Sequence, residues 1–313
     1  MDWIVYWFML PACIGIASVA MFSGISGAAL LIPLFLIGFP LLDVPQLTTV
    51  AAVGTALLLE TSGFGMGVYR YLHLGLVDTR TARYLIAVTL PFGALGALAA
   101  PQVPEQALRL GYGAAMVMLA GAMARELRRH AGAGARAADP LAVAETQGTG
   151  RRRTAGVPLG SRSRAGMREL VSQDGRRYAY QAHGLPGQRV YSGVGAFAAG
   201  LISTGVGEAT MPTLVRRSRF PVAVAAATST VVVAGTVVGA ASTHTVQLIV
   251  EGGFSAVPWN LIIWAVPGAL IGAGIGTRLQ GRINERTAKM FFTGLFLAIG
   301  VTFLLAFTAL GFG

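Results

Sequence analysis

The stretch Ser203-Thr-Gly-Val-Gly-Glu-Ala-Thr-Met-Pro212 is a short polar, glycine-rich passage between two apolar runs. A related passage, Ser23-Gly-Ile-Ser-Gly-Ala-Ala-Leu-Leu-Ile-Pro33, stands in the first half of the chain. With a one-residue gap, the first serines, one glycine and the prolines of the two passages align. Matching segments that are interrupted by glycine and proline in two halves of a chain indicate the binding site of a secondary transporter. The pair therefore predicts two repeats, with a small-solute site where the two breaks meet.

The composition is that of a membrane protein. Apolar residues make up 54% of the chain and charged residues 12%, and the mean hydropathy is +0.64. These values exclude an ordinary soluble domain. Several apolar runs approach the roughly 20 residues that cross a bilayer as a helix. The single cysteine, Cys13, lies in such a run, so no disulfide framework can form.

The apolar runs follow the same order in the two halves. In the first half, runs at 3–23 and 26–39 precede spans near 46–69, 84–100 and 106–124. In the second half, runs at 191–203 and 206–215 precede spans near 222–247, 258–277 and 287–311. We predict an all-α integral membrane protein of two inverted repeats, residues 1–124 and 191–313, each a re-entrant or broken helix hairpin followed by three transmembrane helices. The alternative for residues 1–23 is a full span, since they are long enough to cross.

The net charge of +11 is concentrated in a basic loop at 125–190 and in other loops on one side of the predicted spans. By the positive-inside rule these loops are cytoplasmic, and the chain is a multi-pass protein of the cell (inner or plasma) membrane. Basic residues that lie only in the loops on one side of the membrane indicate the topology of the chain. The expected partner is therefore the lipid bilayer and not nucleic acid. Within the loop, residues 131–166 are expected to be disordered, and a small β-hairpin is expected near 174–190.

Two acids fall within predicted membrane segments, where an ionisable side chain is costly and marks function by default. Glu208 lies inside the second break, and Glu60 lies in the span 46–69. Either could take up and release a proton. For Glu208 the alternative is an acid that binds free backbone N–H groups at a helix N-terminus. For Glu60 the alternative is a structural hydrogen bond.

The predicted solute site is made of uncharged groups. No Arg or Lys lies at predicted membrane depth, so an anion has to be held by backbone N–H groups, half-helix dipoles and hydroxyl groups. Hydroxyl groups can also simply bond between helices, which is the alternative for each of them. The predicted substrate-binding residues are Ser23, Gly24, Ser26, Gly27, Thr55, Ser203, Thr204, Gly205, Gly207, Thr228 and Ser229.

The histidines give no sign of metal or enzymatic chemistry. The four of them (His73, His130, His183 and His244) are scattered without metal-ligand spacing. No nucleophile–base pair is evident either, so no catalytic residue, metal or cofactor is expected. His244, near the outer end of the span 222–247, could gate or carry a proton. The alternative, which we expect, is an interfacial placement with ordinary solvation.

Glycines four residues apart share one helix face and allow transmembrane helices to approach closely. We expect them to pack against neighbouring helices and to have no ligand role. The sets are Gly63 and Gly67, Gly235 and Gly239, and Gly268, Gly272 and Gly276.

At its breaks and in three short segments, the chain resembles the TauE/SafE sulfite exporter family, also known as TSUP transporters and once called a domain of unknown function. The segments are Ala-Val-Gly-Thr-Ala (52–56), Ala-Ala-Thr-Ser-Thr (226–230) and Pro267-Gly-Ala-Leu-Ile-Gly272. The resemblance covers residues 11–124 and 191–311, but not the basic loop. It implies transport of sulfite, an organosulfonate or a related sulfur anion across the cytoplasmic membrane, coupled to an ion gradient.

The chain departs from the family pattern in two places. The first break, Gly-Ile-Ser-Gly-Ala-Ala, is poorer in glycine than the family's usual run. The second break carries Glu208, whose carboxylate would repel an anion unless it is protonated or points elsewhere. Glu208 is therefore better suited to coupling than to direct ligation.

We expect a secondary transporter, acting as an exporter, that works by alternating access around a midplane site and is coupled to protons through Glu208 and Glu60. The alternative is a passive anion channel that uses the same polar breaks. A channel needs a continuous polar stripe, whereas these spans are mostly Ala, Val, Leu and Ile with polarity concentrated at one depth. For the oligomeric state, a homodimer is one option.

Overall fold

The computed structural model describes residues 4–23, 26–132, 167–173, 175–182, 184–279 and 285–308. These residues form helices in two groups of five, with one β-hairpin between the groups. The first group is α1 (Met9–Ser23), α2 (Ala28–Leu41), α3 (Thr49–His73), α4 (Thr79–Ala99) and α5 (Glu105–Gly132). The hairpin is β1 (Met167–Val171) and β2 (Arg177–Gln181). The second group is α6 (Leu185–Ile202), α7 (Val206–Arg216), α8 (Val222–Gly252), α9 (Trp259–Leu279) and α10 (Glu285–Thr308).

Among the described residues, 6 helices are long and apolar enough to cross a membrane. They are the last three of each group, so the predicted all-α membrane fold with six spans is confirmed. The span segments are Thr49–His73, Thr79–Gln102, Glu105–Arg128, Val222–Gly252, Trp259–Gly276 and Lys289–Ala306. The first two helices of each group are shorter, and α1 has 15 residues and α7 has 11. The helix α2 is not regular, because Leu34–Gly38 in its middle forms a π-helical turn after Pro33.

Polar side chains fix the starts of the spans α3 and α4. The hydroxyl of Thr48 accepts a hydrogen bond of 3.2 Å from the backbone N–H of Ala51. The carboxylate of Asp78 accepts one of 3.0 Å from the N–H of Thr81. Each cap satisfies a backbone donor that has no acceptor within the helix, which is why these helices begin there.

The helices of the two groups pack in reciprocal pairs. The first helix of each group packs on the fourth helix of the other, in the pairs α1–α9 and α6–α4. The third helix of each group also packs on the fourth helix of the other, in the pairs α3–α9 and α8–α4. Two further pairs, α3–α8 and α5–α10, join corresponding helices directly. The two groups are therefore interleaved and do not form separate domains.

Glycines bring α1 and α9 into backbone contact. A Cβ atom added at Gly268, Gly272 or Gly276 would lie 2.4 Å from a carbonyl oxygen of α1, at Leu10, Ile14 and Ser18 respectively. Because the contact partners advance together along both helices, α1 and α9 run in the same direction. These three glycines are packing residues, as the spacing predicts.

The other predicted packing glycines fall into two groups, those that pack closely and one that does not. Gly67, Gly235 and Gly239 face side chains of neighbouring helices at 3.1 Å, 3.1 Å and 3.0 Å from an added Cβ. An added Cβ at Gly63 would have nothing within 4 Å. Gly63 instead lines a small cavity beside α1. The packing prediction is therefore wrong for Gly63, because this face of α3 does not touch a neighbouring helix closely there.

The β-hairpin marks one end of the molecule. Its turn is closed by a hydrogen bond of 2.9 Å from the N–H of Ser172 to the carbonyl of Arg176. The N–H of Gln173 donates to the carbonyl of Leu74, in the α3–α4 connection, at 3.1 Å. The ring of Tyr180 lies 4.8 Å from that of Phe220, in the α7–α8 connection. We call this the hairpin end, defined by residues 167–181, 74–78 and 217–221.

The hairpin is placed differently from the interval 174–190 named from the sequence. Its first strand begins at Met167, whereas Leu185-Pro-Gly187 opens α6. Pro186 is suited to the first turn of a helix, where its missing N–H needs no acceptor. Residues 133–166, which make up nearly all of the interval expected to be disordered, lie outside the described residues.

The opposite end of the molecule, which we call the cleft end, carries an open cleft of about 510 Å³ lined by the start of α3, the α4–α5 connection and the end of α8. The two ends fix the direction of each span. The helices α3, α5 and α9 run from the cleft end to the hairpin end, and α4, α8 and α10 run the other way. The short helix α6 begins at the hairpin end beside β2, and α1 runs in the direction of α9.

Candidate functional site

The second break is a sharp, buried interruption between α6 and α7. Ser203, directly after α6, has φ 60° and ψ 26°, which is the left-handed region. Gly205 has φ 124°, and an added Cβ would lie 3.1 Å from the carbonyl oxygen of Gly195. Conformation and crowding both require glycine at this position. The side chains of Ser203 and Thr204 are only 1% and 6% exposed, so the break lies inside the protein.

Hydrogen-bond donors are concentrated at this break. The backbone N–H of Ala209 donates to the carbonyl of Gly205 at 3.0 Å, which is the first turn of α7. The N–H groups of Val206, Gly207 and Glu208 precede that bond and have no acceptor within the helix. The positive end of the α7 dipole is therefore directed at the break. The buried Oγ of Ser203 makes no hydrogen bond to any residue in the described part of the chain.

The first break brings Ser26, Gly27 and Glu60 together. The hydroxyl of Ser26 donates to Oε1 of Glu60 at 2.5 Å, and Glu60 is only 7% exposed. Gly27 directly precedes α2. Gly27, Glu60 and Gly63 line a cavity of about 40 Å³ whose other walls are apolar residues of α1, α2, α3 and α9. Since a water needs about 10–15 Å³ by this measure, the cavity has room for about three waters.

Parts of both breaks lie beyond what the structure describes. Ser23 is the last residue of α1, but its side chain lies outside the described residues, and so does the whole of Gly24. Glu208 lies in the first turn of α7, and its side chain also lies outside the described part. The roles predicted for these three residues stay predictions.

The predicted hydroxyl residues on α3 and α8 do not converge on one point. Thr55 is buried on α3, 3% exposed, next to Gly54. The hydroxyl of Thr228 accepts a hydrogen bond of 3.0 Å from the N–H of Asp78, at the hairpin end. The hydroxyl of Ser229 donates to the carbonyl of Ala226, in its own helix, at 3.0 Å. Thr228 and Ser229 are thus engaged in bonds that stabilise the start of α8 and its contact with the α3–α4 connection.

His244, on α8, is buried against the C-terminal end of α6. The sequence predicts a position at the membrane interface. The side chain of His244 is 0% exposed, and its Nε2 lies 2.8 Å from the carbonyl oxygen of Gly200. An added Cβ at Gly54 would lie 2.8 Å from the Cβ of His244, so the ring packs on the backbone of α3. The Nδ1 atom is buried without a hydrogen bond to the described residues. The predicted interfacial placement is wrong, because α8 continues for two more turns, to Gly252.

A polar cluster at the hairpin end is organised around Asp78. Its Oδ2 accepts from Arg168 at 2.5 Å, from the hydroxyl of Tyr180 at 2.8 Å and from the hydroxyl of Thr81 at 3.0 Å. Burial alone would raise the pKa of Asp78, but the hydrogen bonds from Thr81 N–H, Tyr180 and Arg168 outweigh it and lower the pKa. Burial, together with the charge of Asp78, raises the pKa of Tyr180. The cluster therefore holds an ionised carboxylate that ties the hairpin to α4.

A second polar cluster borders the cleft end. Oε1 of Glu105 accepts from the N–H of Thr49 at 2.5 Å and from its hydroxyl at 2.7 Å. Arg109 lies 3.1 Å from Glu105 and donates to Thr49 Oγ1 at 3.0 Å. The cluster joins the start of α3 to the start of α5 at the mouth of the cleft. Within the described residues there is no group of three or more His, Cys, Asp or Glu side chains that could hold a metal ion.

Comparison with protein families decides the class of the protein. The family described as sulfite exporter TauE/SafE matches residues 9–303, from the start of α1 into α10, with the segment between the two groups included. The chain belongs to this family. The TauE/SafE match therefore extends across the basic loop, which the resemblance in the sequence left out. Comparisons with curated proteins and with solved structures find no match.

Membership and fold together establish the general activity. Members of the TauE/SafE family are transporters and not enzymes. The six long apolar helices are those of a multi-pass membrane protein. The chain is therefore a membrane transporter, and the two breaks are its candidate site.

Proposed function

We propose that this TauE/SafE family protein is a secondary transporter that exports sulfite or a related sulfonate across the cytoplasmic membrane by alternating access. The observation that carries the proposal is the buried break after α6. There, the buried hydroxyl of Ser203 lies next to the N-terminus of α7, whose first residue, Val206, is also buried. Donors in a low-dielectric site suit an oxyanion whose S–O oxygens accept several hydrogen bonds.

The two groups of helices are proposed to be inverted repeats. The support is the opposite direction of corresponding helices, since α3 runs from the cleft end to the hairpin end and α8 runs back. The reciprocal pairs α1–α9 and α6–α4 fit the same relation. In such a plan the two broken hairpins enter the membrane from opposite sides and meet near its centre. Motion of one repeat against the other would then expose the site to each side in turn.

We propose that the hairpin end is cytoplasmic in the cell membrane. The described basic residues of the connecting segments favour this orientation under the positive-inside rule. Arginines follow or precede the spans there, at Arg70, Arg80, Arg83, Arg216, Arg217, Arg219 and Arg278. The cleft end carries acids, at Asp43, Glu105 and Glu251, with Arg109 as its basic residue among those described.

Proton coupling is proposed to use the carboxylates of the two breaks. Glu60 is buried and accepts a short hydrogen bond from Ser26. A change in the charge of Glu60 would therefore change a hydrogen bond at the start of α2. Glu208 lies in the first turn of α7, where an acid interacts favourably with the helix dipole. A protonated carboxyl in that position would not repel an anion, whereas an ionised one would.

The test is sulfite counterflow in proteoliposomes that contain the purified full-length protein. A transporter with alternating access exchanges labelled external sulfite faster when unlabelled sulfite is inside. We expect Ser203→Ala to reduce this exchange about tenfold or more, since a hydrogen bond to a charged group is lost. The control is Ser62→Ala, which removes a hydroxyl that donates to Leu59 in its own helix at 2.6 Å. Exchange that is not accelerated by internal sulfite would favour the channel.

A further inference from the structure

Two buried polar atoms near the end of α6 have no hydrogen-bond partner among the described residues. The side chain of His244 is held by the carbonyl of Gly200, and Ser203 follows three residues later, about 4.5 Å along the helix axis. Ser203 Oγ and His244 Nδ1 are both buried, and neither bonds to the described residues. A buried polar atom without a partner is costly, so such atoms mark places where a ligand or solvent binds.

The bond to Gly200 fixes which nitrogen of His244 carries a proton. A carbonyl oxygen can only accept, so Nε2 must be the donor in the bond of 2.8 Å. In the neutral ring, Nδ1 then presents a lone pair and cannot donate to an anion. When the ring takes up a proton, Nδ1 becomes a donor and the ring gains a positive charge.

His244 forms no ion pair within the described part of the chain. The ring contacts α3 at Gly54 and α6 at Gly200. The helix α4 also packs on α8, and its arginines, Arg80 and Arg83, lie near its start at the hairpin end. On α6 the nearest arginine is Arg189, whose guanidinium lies 3.7 Å over the ring of Tyr84. The acids nearest in sequence are Glu60 on α3 and Glu251 on α8. The helix α7, which packs on α8, carries Glu208, whose side chain lies outside the described residues.

We propose that the break binds an oxyanion together with a proton, and that His244 carries this proton on Nδ1. The proton comes from the acid form of the buffer in the bulk solvent, which becomes its conjugate base. It adds to the Nδ1 lone pair to give an imidazolium, while the anion itself forms no covalent bond. The ligand set for the S–O oxygens is then Nδ1–H of His244, the hydroxyl of Ser203 and the first N–H groups of α7. This inference rests on the proposed function. It adds a charge that the carboxylates cannot supply, because a protonated carboxyl is neutral whereas an imidazolium offsets the charge of the anion.

The experiment is isothermal titration of the purified full-length protein with sodium sulfite and with sodium methanesulfonate, in two buffers of different ionisation enthalpy. Methanesulfonate is the anion of a strong acid, so any proton uptake on its binding belongs to the protein. We expect about one proton taken up per anion at a pH where the free ring is neutral. His244→Gln should bind without that uptake and about tenfold or more weakly, since the amide can keep the bond to Gly200 but cannot take up a proton.

Thr245→Val is the matched control. Thr245 neighbours His244 in α8, but its hydroxyl donates to the carbonyl of Ala241 in the same helix at 2.8 Å. The variant should keep both affinity and proton uptake. The ¹⁵N spectrum of histidine-labelled wild type gives a readout that needs no variant, because Nδ1 of His244 should change from unprotonated to protonated when methanesulfonate is added.

The outcomes separate the two claims. Anion binding without proton uptake, or uptake that persists in His244→Gln, would overturn the role of His244 and leave the proposed function standing. Wild-type protein that binds neither sulfite nor methanesulfonate would instead contradict the proposed function, and the inference would fall with it. A His244→Gln variant that does not fold leaves the decision to the ¹⁵N spectrum, where an unchanged Nδ1 signal at saturating anion overturns the role.

Discussion

Gly272→Ala tests the backbone contact that joins the two groups of helices. An added Cβ would lie 2.4 Å from the carbonyl oxygen of Ile14, whereas ordinary contact begins near 3.4 Å. The helices α1 and α9 would have to separate by about 1 Å, or α1 would have to shift along its axis. Overpacking of this kind costs about 1–3 kcal/mol of unfolding free energy. A further loss is expected because the neighbouring contacts at Gly268 and Gly276 would open with it.

The matched control is Gly274→Ala, two residues away on the same helix. An added Cβ at Gly274 has nothing within 4 Å. Alanine should stabilise the helix interior there by about 0.5–1 kcal/mol relative to glycine. The assay is thermal unfolding of both variants and wild type in the same detergent, followed by tryptophan fluorescence. Equal shifts in the two variants, or a stable Gly272→Ala, would refute the packing of α1 on α9 described above.

Three further predictions concern Arg168→Ala, the pH dependence of its effect, and Glu208→Gln. Arg168→Ala should lower the unfolding free energy by about 1–3 kcal/mol, because Arg168 pairs with a carboxylate that is only 6% exposed. The exposed Arg177–Glu169 pair is the control, and Arg177→Ala should change the unfolding free energy by at most about 1 kcal/mol. Since the folded pKa of Asp78 lies below its unfolded value of about 3.9, its stabilisation is complete above that value. The difference between wild type and Arg168→Ala should therefore close as the pH falls through the folded pKa, and a difference that persists in acid would contradict this reasoning. Glu208→Gln should abolish gradient-driven flux and leave anion binding largely intact; loss of binding together with flux would exclude a coupling role.

The spans could be predicted because they depend on local composition. Each apolar run near the length of a bilayer became a helix, and its ends moved by a few residues where a cap decided them. The span expected at 84–100, for example, begins at Thr79, because Asp78 caps the helix. The close packing of α9 could also be predicted from its glycine spacing, since small residues on one helix face serve mainly to let helices approach.

The details of the site could not be predicted because they depend on contacts between distant segments. Thr228 and Asp78 are 150 residues apart, and only the folded structure shows that the hydroxyl is engaged with a backbone N–H. His244 lies 44 residues from Gly200, and its burial follows from the length of α8 and from the close approach of Gly54. No local pattern distinguishes such a histidine from one at the membrane interface.

The central claim, that a sulfur oxyanion binds at the break after α6, is tested most directly by the thermal stability of the purified protein. Wild type and Ser203→Ala are heated with sulfite, sulfate and methanesulfonate under identical conditions. A ligand that binds only the folded state stabilises it by about 2.7 kcal/mol at a hundredfold excess over its Kd. We predict that at least one sulfur anion raises the unfolding temperature of wild type, and that Ser203→Ala loses most of the rise. An unchanged temperature with every anion, or an equal rise in Ser203→Ala, would contradict the account.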